Sequence, residues 1–162
     1  MLLHLILLAQ TLSAQTPLAQ PIAVSGDWAA FDRGASCAAV SRSLLVPRKG
    51  EPQPHITIAF DRGGSRRGEL GVALRRPVRP GSSVMLTIGD QPFLLATRGA
   101  GAWSRGPVQE AAIIAAIRSS TAMRIESRDL AGRRMVDRYV LSGAPTAIDA
   151  AAAACSRRNV RP

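Results

Sequence analysis

The clearest pattern in the chain is the alternation at 55–60. Ile56, Ile58 and Phe60 fall on one side and His55, Thr57 and Ala59 on the other, the period of a half-buried β-strand. Shorter stretches carry the same signature. Residues 27–31 read as a first strand and 36–45 as a second, with Cys37, Ala39 and Ser41 sharing a face. Pro47, Gly50, Pro52 and Pro54 then rule out ladder pairing and predict a loop over 47–54. A Gly- and Arg-rich turn at 61–68 leads into a strand at 69–75, which Pro77 and Pro80 terminate. The segments 83–88 and 92–97 flank Gly89-Asp90 and read as a hairpin.

Residues 98–106 read as a loop centred on Trp103. Pro107 suits a first helical position, where a missing amide costs nothing, and predicts a helix over 108–118 with Ile113, Ile114 and Ile117 as its apolar stripe. Met123, Ile125 and Ser127 alternate with Arg124, Glu126 and Arg128 along 121–129, and a return strand follows at 133–141. Gly132 suits the left-handed position of the three-residue loop between them. An alanine-rich helix over 145–157 carries Cys155 on its last turns. The fold class is therefore mainly β with two helices, an antiparallel β-sandwich or open barrel with one helix before the last hairpin and one at the C-terminus.

The N-terminus adds a compartment. Residues 2–8 form a short apolar core and Leu12-Ser13-Ala14 ends in a small residue, so 1–14 reads as a signal peptide cleaved after Ala14. A buried N-terminal strand or helix is the alternative reading of the same run. The run is too short to cross a bilayer, which takes about 20 apolar residues. Residues 15–25 are expected to be a flexible mature terminus, 26–157 a single β-rich domain and 158–162 a tail. The mature chain of about 148 residues has the length of one domain with its own core. In an oxidising compartment Cys37 and Cys155, the only cysteines, predict one disulfide, with a pair of buried free thiols as the alternative.

Charge points to partners. The net charge is +10, and Lys49 is the only lysine among 21 basic residues. Such a surface attracts anionic polymers, and in a bacterial envelope these are lipopolysaccharide, lipid headgroups and acidic glycans. An arginine bias this strong also follows from GC-rich coding. Arg62, Arg66, Arg67, Arg75, Arg76 and Arg79 cluster around one predicted turn and strand and form the candidate anion-binding patch, against the alternative of a solvated rim. Trp103, in a loop, is a candidate partner contact, whereas Trp28 is assigned to the core. Aromatic residues make up 4% of the chain, which argues against a base-stacking platform for nucleic acid. Arg62-Gly63-Gly64-Ser65 lacks the Lys-Ser or Lys-Thr of a phosphate-cradling loop.

No catalytic, cofactor or metal constellation is legible. His55 is the only histidine after the leader, the carboxylates are scattered, and one histidine with two distant cysteines does not make a zinc site. Two rivals to a binding role are a small periplasmic enzyme with a site near His55 or the 98–106 loop, and a cytoplasmic nucleic-acid binder.

Taken together, Gly26-Asp27-Trp28, Gly71-Val72-Ala73-Leu74, Val84-Met85-Leu86-Thr87-Ile88-Gly89, Ala116-Ile117-Arg118, Asp129-Leu130-Ala131-Gly132 and Tyr139-Val140-Leu141-Ser142-Gly143 resemble the invasion-associated locus B family of exported alphaproteobacterial proteins. The match runs roughly from Gly26 to Cys155. The resemblance implies a periplasmic or envelope-associated non-enzyme, linked in some pathogens to host-cell invasion, with an envelope component or envelope protein as partner and no catalytic residues to transfer. The family commonly has a further cysteine pair around the loop before the first helix, where this chain has Arg98-Gly99-Ala100-Gly101-Ala102-Trp103.

Overall fold

A computed structural model describes residues 19–157. The predicted leader (1–14), residues 15–18 and the whole of the predicted tail (158–162) lie outside the described residues. Ten strands and two helices follow in the order β1 (Gln20–Ser25), β2 (Trp28–Asp32), β3 (Ser36–Arg42), β4 (His55–Asp61), β5 (Arg67–Ala73), β6 (Val84–Ile88), β7 (Gln91–Arg98), β8 (Gly101–Trp103), α1 (Pro107–Arg118), β9 (Ala122–Arg128), β10 (Arg134–Val140) and α2 (Ala144–Ser156). All strands belong to one antiparallel sheet, in the order β1-β2-β3-β4-β5-β8-β7-β6-β9-β10.

Alternation sets which face is inside. Ile56 and Ile58 of β4, Leu70 and Val72 of β5, Leu86 and Ile88 of β6, Met123 and Ile125 of β9, and Met135 and Tyr139 of β10 are all buried in one core. Trp28 belongs to the same core and its indole Nε1 donates to the Val140 carbonyl at 3.0 Å. Both helices pack on this inner face, α2 against β1 to β4 and α1 against β5 to β7. Along α2, Ala144, Ala147, Ile148, Ala151 and Cys155 recur at spacings of three and four and are buried. Their small side chains let the helix lie close to Ala30 and Ala39, which are themselves fully buried.

The sheet curls until the β1–β2 turn and the loop after β3 reach β10 and the residues that follow it. The Asp27 amide donates to the Ser142 carbonyl at 3.0 Å and the Leu44 amide to the Arg138 carbonyl at 2.8 Å. At this seam Gly26 has φ 52 and Gly143 has φ 84. A Cβ on Gly143 would lie 1.8 Å from the Ser25 carbonyl oxygen, and one on Gly26 would lie 2.4 Å from the Ser142 carbonyl oxygen. Backbone packed against backbone in this way leaves no room for any side chain, quite apart from the left-handed torsion.

Two sequence expectations are corrected. Residues 20–25 are not a flexible terminus but the edge strand β1, paired with β2 from Gln20↔Asp32 to Ser25↔Trp28. Pro21 suits an edge, because an edge strand can spare one amide. The 98–106 segment is not all loop either, since Gly101–Trp103 forms β8 between β5 and β7. Three residues are too few to display a period of two. The remaining strands and both helices match their predicted positions to within a few residues at each end, and Gly132 adopts φ 79 as the hairpin loop requires.

Cys37 and Cys155 form a disulfide with a Cα–Cα separation of 5.7 Å. It joins β3 to the last turn of α2. The intact protein should weigh about two mass units less than its reduced form, and reduction should lower stability by roughly 5 kcal/mol at most, read from urea unfolding with and without reductant. Free thiols titrating in protein isolated without reductant would contradict the bond. Gly143→Ala should cost about 3 kcal/mol or more and Gly34→Ala, whose Cβ would meet nothing, clearly less. Equal urea midpoints for the two variants would show that the seam is not tight.

Candidate anion-binding site

The six arginines of the predicted patch do not form one surface. Arg62, Arg66 and Arg67 lie at the β4–β5 turn, whereas Arg75, Arg76 and Arg79 follow the far end of β5. A seven-residue strand separates the groups by roughly 20 Å.

Within the first group, arginine is structural. Arg62 pairs with Asp32 at 2.5 Å, donates through Nε to the Gly34 carbonyl at 2.6 Å, and through Nη1 to the carbonyls of Ala154 at 2.7 Å and Arg157 at 3.1 Å. It thereby caps the C-terminal end of α2, where carbonyls lack helical partners and a positive charge is favoured. Arg66 chelates both oxygens of Asp61, at 2.7 Å from Nη2 to Oδ1 and 3.0 Å from Nε to Oδ2. These hydrogen bonds, with that of Ser65, hold the Asp61 pKa down at about 2. Arg67 donates to the Gly64 carbonyl at 3.1 Å and lies in an open groove between the turn and α1.

The second group opens onto a different structure. Three segments converge at one end of the curled sheet: the loop after β3, the crossing segment after β5, and the β9–β10 hairpin. They enclose a pocket of about 250 Å³ lined by Arg48, Glu51, Arg75, Arg76, Asp129 and Arg133, with Leu45, Val46, Arg134 and Met135 completing the wall. Each wall is held by the backbone. Gln53 Nε2 donates to the carbonyls of Ser43 at 3.0 Å and Leu45 at 3.2 Å, pinning the proline-rich loop. The Val78 amide donates to Gly99 O at 2.9 Å, and the Arg79 amide to Arg128 O at 3.0 Å.

The charges in the pocket are arranged rather than merely numerous. Arg76 is gripped by Glu51 and reaches Asp129 Oδ2 at 3.5 Å. Asp129 also accepts from the Arg133 amide at 2.9 Å and from Arg133 Nε at 2.9 Å. Burial by itself would raise the Asp129 pKa, but these Arg133 contacts outweigh it and leave the carboxyl more acidic than usual. The hydrogen bond from Arg76 likewise holds Glu51 low. Arg134 is engaged outside the pocket by Glu126. Among the described residues Arg48 and Arg75 make no ion pair.

Arg75 is the unusual member. Its Nε is shut off from solvent without a hydrogen-bond partner, and behind it the buried Asp137 Oδ1, Tyr139 hydroxyl and Ser127 Oγ are also unpartnered among the described residues. Burial pushes the Asp137 carboxyl pKa up, and the positive charge of Arg75 partly opposes that rise. Burial and the Asp137 charge both push the Tyr139 phenol up. A buried donor left unmade costs free energy, and the core-side Asp137 carboxyl is the charge that faces it.

The remaining candidates lie elsewhere. Arg79 is exposed and makes no ion pair among the described residues. Trp103 on β8 is 39% exposed, opposite Gly71 and Ala96 in the sheet and outside the arginine pocket. His55 Nδ1 lies 3.2 Å from the Gln53 carbonyl, its one polar contact among the described residues. No group of three metal-ligating side chains occurs among the described residues. Sequence reasoning found Arg75 and Arg76 but missed Arg48, Glu51, Asp129 and Arg133. The one local hint was Asp129 three residues before Gly132, a spacing that suits a turn-forming carboxylate, and it says nothing about Arg48.

No protein-family model, curated protein or solved structure matches the chain.

The two arginine groups should separate on mutation. Arg62→Gln should lower stability by about 1–3 kcal/mol, because it strips a charged donor from the α2 terminus. Arg67→Gln should change it by less than about 0.5 kcal/mol. Thermal or urea unfolding of the two variants would decide, and equal effects would mean that Arg62 does not hold the helix end.

Proposed function

We propose that the protein is an exported, non-enzymatic binding or accessory protein of the periplasm or cell envelope that engages an anionic envelope component through the arginine pocket. The pocket carries this reading: it holds more guanidinium groups than carboxylates, and two of them, Arg48 and Arg75, make no ion pair among the described residues. The disulfide supports an oxidising compartment. No helix among the described residues is long and apolar enough to cross a membrane. The leader-like start and the resemblance to the invasion-associated locus B family point the same way. The isolation of His55 favours binding over the rival of a hydrolytic site there.

Export and binding are tested separately. Protein recovered from a bacterial periplasm should begin at Gln15 on N-terminal sequencing, and full-length protein confined to the soluble cytoplasm would overturn the export reading. The mature protein should bind anionic vesicles in a salt-dependent manner, and Arg48→Gln should weaken that binding about threefold or more while Arg66→Gln with Arg67→Gln leaves it nearly unchanged. The reverse ranking would move the binding surface to the β4–β5 turn.

A further inference from the structure

We infer that the arginine pocket selects a phosphate monoester, a compact dianionic group, over phosphodiesters, carboxylates and extended acidic glycans. This rests on the reading of the pocket as an anion site, and it names the chemistry the site recognises.

Size comes first. At about 250 Å³ the pocket is smaller than the roughly 300–1,000 Å³ typical of small-molecule sites, so it accommodates a headgroup rather than a sugar repeat. Charge comes next. The pocket's arginines outnumber its carboxylates, Glu51 and Asp129, and Arg134 is drawn outward to Glu126. That leaves Arg48 and Arg75 without ion pairs among the described residues. Asp137 faces Arg75 from the core side, yet neither Arg75 Nε nor Asp137 Oδ1 has a hydrogen-bond partner. Two guanidiniums on separate segments match a group bearing close to two negative charges.

Geometry separates the anions further. Arg48 belongs to the loop after β3 and Arg75 to the segment after β5, so an occupant between them must accept hydrogen bonds from more than one direction. A phosphate monoester offers three terminal oxygens around a tetrahedral centre. A diester offers two and a single charge, and a carboxylate offers two in one plane. Guanidinium groups donate in rigid forks suited to such oxygens. Arg76 is held at the wall by Glu51 and Asp129, which fix its position and neutralise its charge, so the net attraction falls to Arg48 and Arg75.

The test is calorimetric titration of the mature, oxidised protein at neutral pH with glycerol 3-phosphate, dimethyl phosphate and succinate, paired with flotation on vesicles containing phosphatidic acid or phosphatidylglycerol. Glycerol 3-phosphate should bind about tenfold or more tightly than dimethyl phosphate or succinate. Arg75→Lys should weaken it about tenfold by removing the fork, and Arg48→Gln, at an exposed position where folding is not at stake, about threefold. Arg67→Gln should leave it unchanged. Flotation with phosphatidic acid that glycerol 3-phosphate displaces would identify a lipid-borne monoester; binding of glycerol 3-phosphate without flotation would identify a soluble one. Equal affinity for monoester, diester and succinate would overturn the selectivity while leaving a general anion site. Absence of binding to every anion, or binding that neither Arg48→Gln nor Arg75→Lys weakens, would overturn both.

Discussion

The structure depends on one close approach of backbone to backbone. Where the β1–β2 turn meets the junction of β10 and α2, Gly26 and Gly143 stand with no space for a Cβ, and the Asp27 amide bonds the Ser142 carbonyl. This contact turns a ten-stranded antiparallel sheet into a curled wall around two helices. It also sets the direction in which α2 leaves β10, and that direction lays the alanine face of the helix on β2 and β3 and brings Cys155 to Cys37. The mouth where the arginines gather is formed by the same curling, which brings the loop after β3 onto β10, where the Leu44 amide bonds the Arg138 carbonyl.

A strongly basic composition does not translate into a strongly basic surface everywhere. Arg62 spends its charge on a helix end, Arg66 on Asp61, Arg118 on Asp149 and Arg134 on Glu126. Surface pairs of this kind contribute little to stability one by one. Their effect is to neutralise those sites, while Arg48 and Arg75 in the pocket, like the exposed Arg79 and Arg98 elsewhere, make no ion pair among the described residues. Composition alone suggested a broad electrostatic footprint, and geometry gathers one part of it into a pocket.

Much of the fold was legible because alternation survives wherever one face is buried. The strand at 55–60, the Gly89-Asp90 hairpin, the helix opened by Pro107 and the Gly132 turn all follow from local rules. The two missed strands share a physical cause. Gln20–Ser25 is an edge strand exposed along much of its length, and Gly101–Trp103 is short and glycine-containing, so pairing with neighbours rather than a hydrophobic pattern decides their state. The candidate site was only half legible for a related reason. Arg75 and Arg76 stood out by adjacency, but Arg48 and Arg133 join them through a topology in which β9 lies between β6 and β10 and the crossing segment bridges to Asp129. No spacing in the sequence encodes that meeting.

The disulfide and the glycine seam both recruit the last stretch of the chain, Ser142 to Cys155, to finish work begun at Gly26 and Cys37. A polypeptide delivered N-terminus first therefore presents most of its strands before the pieces that close them arrive. Until then Cys37 is a solitary thiol and the inner faces of β2 to β4 lack the helix that covers them. Long-range closure of this kind is slow compared with hairpin formation. The molecule thus passes through an interval in which its hazards are intermolecular, mispaired sulfur and exposed apolar strand.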